Sequence, residues 1–379
     1  MTKLVVLASG GTGGHVFPAQ ALAEELQRRG YKLALITDSR GDAYSGPFAK
    51  IDTYTISAAA MSGRGKFGKF LALFSLVRGF FQARRILKQL KPDAVVGFGG
   101  YPSVPTMLAA TKLPYKTIIH EQNAILGRAN RLLAPRVKAI ATSFPITAGM
   151  KAADQQKIVW TGNPVRPEIA DLHGQVYEEI TAKSPIRILV VGGSQGAAIF
   201  GEILPRALKR LPEKLKTRIS ITQQVRNEQL AEVKNLYAAA GVTHNLQSFL
   251  SDMPAQLTKA HLVICRAGAS TMAELTTAGR PSILVPYQYA IDDHQSANAA
   301  RLCDAAGAWM IPQVDFSVEA LSSRLCELFD NPHLMSVAAA SAAKQGKPEA
   351  TSLLADALSD LIEGKTTSNS NSNVKETAA

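Results

Sequence analysis

Two segments of this 379-residue chain share one design, and that design constrains the fold more than any other feature. KLVVLASGGTGGH (residues 3–15) and RILVVGGSQGA (187–197) each run from a β-rich apolar stretch through a glycine cluster into helical periodicity. A strand, a glycine turn and a helix in that order open a βαβ unit, and a series of such units builds a mostly parallel sheet. Two copies about 180 residues apart predict two doubly wound, Rossmann-like α/β domains of similar size, facing across a cleft.

The rest of the chain fits that plan. Short apolar runs predict strands at 4–8, 33–37, 94–97, 117–120, 139–142 and 158–160, then at 187–191, 218–222, 262–265 and 282–285. Helical periodicity covers 18–29, with Pro18 suited to a first turn and Gly30 to a helix end. It also covers 198–210 and 352–362. The joint is expected in TGNPVRPE (161–168), whose two prolines interrupt regular structure. This places an N-terminal domain at 1–162, joined by a final helix at 351–363, and a C-terminal domain at 163–345. The low-complexity residues 366–379 read as a disordered tail.

Charge divides along the same line. Residues 1–165 hold 22 Lys and Arg against 8 Asp and Glu; residues 166–379 hold 20 against 22. The net charge of +12 therefore lies on the first half, and a basic half points to anionic partners. Residues 53–92 carry eight basic side chains, among them Lys66, Lys69, Arg84 and Arg85, and no acidic one. There the charge accompanies two apolar stripes at helical spacing. Phe67, Phe70, Leu71, Phe74 and Phe81 form one; Leu73, Leu76 and Phe80 form the other. One stripe suffices for packing on a sheet, and a second beside cations suits an anionic lipid surface. A helix buried on both sides is the alternative.

Other classes fall away. Three cysteines without a CxxC argue against a disulfide framework or a zinc ribbon. The first apolar run enters a glycine loop directly, as a strand does and a signal peptide does not. No stretch has the roughly 18 uncharged apolar residues of a membrane span. No nucleic-acid-binding motif occurs, and no nucleic-acid partner is expected.

Several segments carry candidate chemistry. GGTGGH (10–15) reads as a phosphate cradle: glycines let the backbone approach an anion, and the helix N-terminus offers unpaired N–H groups. A bare tight turn is the alternative. The segment is neither a Walker A loop nor GxGxxG. GGSQGA (192–197) repeats the arrangement and adds the hydroxyl of Ser194. In CRAGASTMAEL (265–275), Glu274 stands where a carboxylate reaches paired ribose hydroxyls, or else completes a capping box with Thr271. Arg266 is a candidate cation for phosphate charge, or a surface arginine. HEQNAILGRANR (120–131) places His120, Glu121, Gln122 and Asn123 at a strand end, the ligand side of an α/β sheet. In VVGFGGYPSVP (95–105), three glycines mark close backbone approach, and Tyr101 is placed to cover a ligand or to pack. Asp292 and Asp293 read as a solvated loop, since no DxD motif occurs; Gln295 and Asn298 are amides of the kind that read sugar hydroxyls.

Taken together, GGTGGHVFPA, GFGGYPSVP, HEQNAILGRANRLLA, TGNPVR, LVVGGSQGA, CRAGASTMAEL and HQSANA resemble the MurG-type N-acetylglucosaminyltransferases of bacterial peptidoglycan synthesis. The seven segments run in order from residue 10 to residue 299. The resemblance implies the GT-B architecture, with UDP-N-acetylglucosamine held by the C-terminal domain and an undecaprenyl-diphosphate-linked muramoylpentapeptide met by the N-terminal domain. It implies a peripheral protein on the cytoplasmic face of the inner membrane, near other cell-wall synthesis proteins. Thr12, Gly13 and Gly14 then belong to the first glycine loop, and Asn123 contacts the transferred sugar. Arg166 and Ser194 bind the donor, with Ser194 near its diphosphate. The backbone of Leu250 reads uracil. Ala269, Ser270, Thr271, Met272, Ala273 and Glu274 form the donor loop and helix start, and Gln295 contacts the sugar. Tyr101, His120 and Asn130 fall on the acceptor side with Lys66, Lys69, Arg84 and Arg85. Leu126 and His294 depart from the family pattern, where proline and a second glutamine are common.

The implied reaction joins C1 of N-acetylglucosamine to the 4-hydroxyl of a muramoyl sugar with inversion, which requires a base. His15 is the leading candidate, ahead of Glu121; holding the acceptor diphosphate is the alternative role for His15. With no DxD, the leaving charge is expected to fall on helix N-termini, Ser194 and Arg266, without a tightly bound metal or other cofactor. A UDP-N-acetylglucosamine 2-epimerase shares the fold, but would not need the apolar and basic stretch at 67–91.

Overall fold

The computed structural model describes residues 2–11, 13–39, 46–58, 66–181, 183–193 and 196–365, with side chains omitted at 46–47 and 66–70. Thr12, Ser194 and the tail at 366–379 lie outside the described residues. The chain forms two compact units: residues 1–166 with 349–379, and residues 167–348.

In chain order the first unit contains β1 (Leu4–Ala8), α1 (Gly13–Arg28), β2 (Lys32–Thr37), β3 (Asp52–Thr55), α2 (Lys66–Leu90), β4 (Ala94–Gly97), α3 (Gly100–Ala110), β5 (Lys116–Glu121), α4 (Arg128–Leu133), β6 (Ala139–Thr142) and β7 (Ile158–Trp160). The strands pair in the order β3-β2-β1-β4-β5-β6-β7, all parallel. The inner strands β1 and β4 are buried almost throughout, as expected of a parallel sheet covered on both faces.

The second unit contains α5 (Pro167–Ala170), β8 (Ile186–Val191), α6 (Ala198–Lys209), α7 (Glu213–Lys216), β9 (Ile219–Gln224), α8 (Leu230–Ala240), β10 (Thr243–Gln247), α9 (Met253–Lys259), β11 (Leu262–Cys265), α10 (Ala269–Ala278), β12 (Ser282–Leu284), α11 (His294–Asp304), β13 (Ala308–Met310), α12 (Val318–Asp330) and α13 (Pro332–Lys344). Its parallel sheet runs β10-β9-β8-β11-β12-β13. In both units the chain reverses direction across the sheet beside the first strand of the unit. A doubly wound sheet forms its ligand crevice outside the carboxyl ends of the strands at that point.

The last helix, α14 (Ala350–Glu363), belongs to the first unit. Leu354, Ala355 and Leu358 are fully buried with Leu22 and Leu26 of α1. Arg29 bridges Glu25 and Asp356 at 2.6 Å each, tying the two helices together at their surface.

Two local expectations change. Pro18 is not in the first turn, because α1 begins five residues earlier at Gly13. The helix therefore loses the hydrogen bond that residue 18 would otherwise donate. Its end is as expected: Gly30 adopts φ +81°, and Tyr31 N donates to Leu26 O at 3.0 Å. The second change concerns α2. Its buried face consists of Ala72, Gly79, Ala83 and Leu87, small residues except for the last. A Cβ on Gly79 would lie 2.0 Å from Ser57 O, so the helix packs at glycine distance there. Among the described side chains neither large apolar stripe is the core face; Phe67 and Phe70 of the first stripe lie outside them. Leu71, Leu73, Phe74, Val77 and Phe81 are exposed, while Phe80 packs partly against the core.

Candidate functional site

The site in the first unit is assembled where β1, β4 and β5 end. After β1, Gly10 approaches α3 so closely that a Cβ there would meet Pro102 at 2.8 Å. Gly11 takes φ +97°, and α1 starts at Gly13. His15 and Gly14 are in the first turn, and Ser9 Oγ donates to His15 O at 3.0 Å. After β4, Gly99 and Gly100 have φ of +80° and +71°. Cβ atoms on them would fall 3.4 Å from His15 Cε1 and 3.1 Å from His15 Cδ2. The two glycine segments thus meet at one imidazole: Gly99 and Gly100 serve close approach to the first cradle, whereas a Cβ on Gly97 would meet Met107 Cγ at 2.6 Å, so Gly97 serves core packing. Tyr101, half-buried, follows in the first turn of α3.

β5 delivers His120 and Glu121, both buried, and Gln122, which is 1% exposed. Gln122 Oε1 lies 3.1 Å from His15 Nδ1. Gln122 Nε2 donates to Phe98 O at 2.9 Å and lies 3.1 Å from His120 Nδ1. His120 Nε2 lies 3.0 Å from Gly162 O. Burial holds the His120 ring neutral and pushes its pKa down to about 4, against the opposing pull of the Gly162 carbonyl.

Three expectations are corrected here. Glu121 is 2% exposed, and both its carboxylate oxygens are occupied by its own loop. Asn123 N and Nδ2 donate to Oε1 at 3.0 and 3.3 Å, and Gly127 N and Asn130 Nδ2 donate to Oε2 at 2.8 and 2.9 Å. A carboxylate so engaged is a hub that shapes residues 121–130, not a group poised to take a proton. His120 and Asn130 are interior residues, not an acceptor-facing surface; Asn130 Nδ2 also donates to His120 O. Asn123, half-buried, is held in place by Glu121.

In the second unit, β8 ends at Val191, and the glycine turn leads into α6. A Cβ on Gly192 would meet Ala197 N at 2.4 Å, so only glycine permits this turn. Gly193 and Gly196 both have positive φ. After β11, α10 starts at Ala269 with Gly268 as its N-cap and no side-chain cap. The capping-box alternative for Thr271 and Glu274 is thereby removed. Glu274 sits half-buried in the second turn. Ala269 and Met272 are buried, and Thr271 and Ala273 are half-buried. Ser270 Oγ is buried with no hydrogen-bond partner among the described residues, in the first turn of α10.

Arg266 proves to be a framework residue. Its guanidinium stacks over Phe200 at 5.3 Å and Tyr287 at 5.4 Å, and Nη1 donates to Val285 O at 3.0 Å. Burial lowers its pKa from the usual arginine value. Its cation thus secures the exit from β12. Gln295 is also tethered, its Oε1 accepting from Tyr287 N at 2.9 Å. Asn298 is fully buried, and its Nδ2 donates to Ala267 O at 3.0 Å, which makes it a brace of the donor loop. His294 Nδ1 donates to Ile291 O at 2.7 Å. The Leu250 side chain is buried, which fixes its backbone just before α9. Arg166 is half-buried at the end of residues 1–166.

Two residues escaped the sequence reading. Gln122 was visible only as part of a polar cluster, and its hydrogen bonds single it out. Asn163 is 5% exposed, yet neither amide atom has a partner among the described residues. The TGNPVR segment marked its position without assigning it a role.

The basic stretch is only partly described. Lys66 and Lys69 lie in α2, with side chains outside the described set. Arg84 is half-buried and Arg85 exposed. At 100° per residue, both project on the same half of α2 as Leu73, Phe74, Val77 and Phe81, opposite the buried Ala72, Gly79 and Ala83. Among the described residues, no helix is long and apolar enough to cross a membrane.

Known proteins share this organisation. Residues 5–142 match the glycosyltransferase family 28 N-terminal domain, and residues 187–354 match its C-terminal domain. A Paramagnetospirillum magneticum protein named UDP-N-acetylglucosamine–N-acetylmuramyl-(pentapeptide) pyrophosphoryl-undecaprenol N-acetylglucosamine transferase is 52% identical, over 95% of this chain and 97% of its own. The crystal structure of Acinetobacter baumannii MurG superposes with a TM-score of 0.77 at 34% identity, covering 96% of this chain and 99% of that one. A putative UDP-N-acetylglucosamine 2-epimerase from Listeria monocytogenes gives a TM-score of 0.67 over 96% of this chain and 98% of that one; its 14% identity speaks for the fold alone. Two glycine-turn sheets, a histidine in the first turn and matches along nearly the whole length lead to one assignment: the chain belongs to glycosyltransferase family 28, among its MurG-type N-acetylglucosaminyltransferases.

Proposed function

We propose that this protein transfers N-acetylglucosamine from UDP-N-acetylglucosamine to the 4-hydroxyl of the muramoyl sugar in undecaprenyl-diphospho-muramoylpentapeptide (lipid I), giving lipid II. The observation that carries this reading is the 52% identity, over 95% of the chain, to a relative named for that transfer. In one displacement, the bond from C1 to the diphosphate oxygen breaks and the bond from C1 to the acceptor oxygen forms. UDP leaves with the electron pair, and a base takes the hydroxyl proton.

His15 is that base. Its place at the carboxyl end of β1, against the backbone of Gly99 and Gly100, supports the assignment. Glu121 acts through the loop, holding Asn123 for the transferred sugar. Tyr101 serves the acceptor side. On the donor side, Glu274 takes the ribose hydroxyls, the Leu250 backbone reads uracil, and Arg166 and Gln295 complete the contacts. The N-termini of α6 and α10 face the leaving charge, with Ser270 Oγ as an added donor. Transfer proceeds without a tightly bound metal.

The outer half of α2 rests on an anionic membrane surface, the chain being peripheral on the side where the lipid acceptor presents its sugar. Exposed Phe74 and Phe81, 62% and 61% accessible, beside Arg85 support this. The test of the activity is incubation with radiolabelled UDP-N-acetylglucosamine and either lipid-linked or water-soluble acceptor. Label in the disaccharide product supports the transferase. Isomerised free sugar with no labelled product would replace it with an epimerase.

A further inference from the structure

We propose that Gln122 is a positioning residue that fixes the tautomer of His15, holding the proton on Nδ1 and the basic lone pair on Nε2. The inference rests on His15 being the base and adds how its reactive nitrogen is selected.

The argument starts with the orientation of one buried amide. Gln122 Nε2 lies 2.9 Å from Phe98 O and 3.2 Å from His120 O. Both are carbonyl oxygens, which only accept, so the NH2 end must face them. The flipped amide would set its oxygen against both. Oε1 therefore faces His15 Nδ1, at 3.1 Å. An amide oxygen cannot donate, so His15 Nδ1 must. A neutral imidazole carries one ring proton, and its lone pair is then on Nε2.

His120 closes the chain from the other end. Its Nε2 lies 3.0 Å from Gly162 O, another pure acceptor, so Nε2 donates and Nδ1 accepts. Nδ1 lies 3.1 Å from the Gln122 NH2 group, which has a proton to offer it. Every donor in the series His15, Gln122, His120, Gly162 thus points the same way. Reversal would require a backbone carbonyl to donate. Burial of His120 keeps it neutral and excludes the doubly protonated ring that would break the order.

The experiment is nitrogen-15 NMR of the full chain with labelled histidine, where two- and three-bond couplings report which ring nitrogen holds the proton. Loss of signals in His15→Gln identifies the His15 resonances among the seven histidines. In the unmodified protein at neutral pH, His15 should show Nδ1–H. Gln122→Met removes the acceptor and should move His15 toward the Nε2–H form that solvated histidine favours. The kcat of Gln122→Met should fall about 10- to 100-fold, at or below the roughly 100- to 10,000-fold that a general base contributes, because the base stays and only its tautomer is disturbed; donor KM should be nearly unchanged. A wild-type His15 protonated on Nε2, or a tautomer untouched by Gln122→Met, overturns the proposal, and the wild-type spectrum decides even if that variant fails to fold. The base assignment fails separately: near-normal kcat in His15→Ala would reject it while leaving the tautomer result standing.

Discussion

Replacing Glu121 separates a loop hub from a catalytic base. Glu121→Ala strands the backbone N–H groups of Asn123 and Gly127 and the buried amide of Asn130, which now donate at 2.8 to 3.0 Å. Each donor left unsatisfied costs about 1–3 kcal/mol, and water reaching the half-buried loop lowers the sum to about 3–5 kcal/mol. At about 2–4 °C per kcal/mol for a unit of this size, Tm should drop by about 10 °C. Glu121→Gln is the sharper variant. Its NH2 end must face one of the two donor pairs, so about 2–3 kcal/mol should be lost although the shape is kept. The assay is urea unfolding of both variants beside single-turnover kinetics on the folded fraction. A general base predicts the opposite pattern for Glu121→Gln: full stability with transfer abolished. That outcome would refute the hub.

His120 and His261 predict acid lability in each unit. Burial depresses both to about 4, and an unfolded histidine titrates near 6.5. The unfolded chain therefore takes up protons that the folded rings refuse; the stability is complete above about pH 6.5 and is lost as pH falls toward 4. Each histidine should account for about 2 kcal/mol between pH 7 and pH 5, and a flat urea midpoint over that range would contradict it. Gly79→Ala should destabilise the first unit by about 1–3 kcal/mol, because the overlap with Ser57 O outweighs the helical preference for alanine; a raised Tm would reject the close packing. Charge reversal at Lys66, Lys69, Arg84 and Arg85 should weaken binding to anionic vesicles by at least about 1,000-fold, at about 1 kcal/mol per cation, and leave UDP-N-acetylglucosamine binding unchanged; retained vesicle binding would reduce the patch to a solvated face. Dialysis against chelator should leave turnover intact, and a full loss restored by one divalent ion would reject metal-free transfer.

Both sheets, the two glycine turns and the family were legible in the sequence, because a buried parallel strand writes itself as an apolar run and a glycine turn has no substitute. The inner strands from β1 to β12 were found for that reason. The strands missed, β3, β10 and β13, are all edges; in β3 and β10 residues such as Asp52, Thr243 and His244 replace the apolar signal, and β13 is a run of only three residues, Ala308–Met310. The face of α2 was misread because size was taken for burial. Close packing chose Ala72, Gly79 and Ala83 instead, and at Gly79 the backbone of Ser57 and the ring of Pro105 impose that choice. The polar cluster at 120–123 was flagged as one group, and tertiary structure divided it: Glu121 to the loop, Gln122 to His15, His120 to Gly162. Residue type and spacing determine which groups can donate or accept a proton. Which of them meet is decided by partners up to 107 positions away, brought together only when parallel strands align their carboxyl ends.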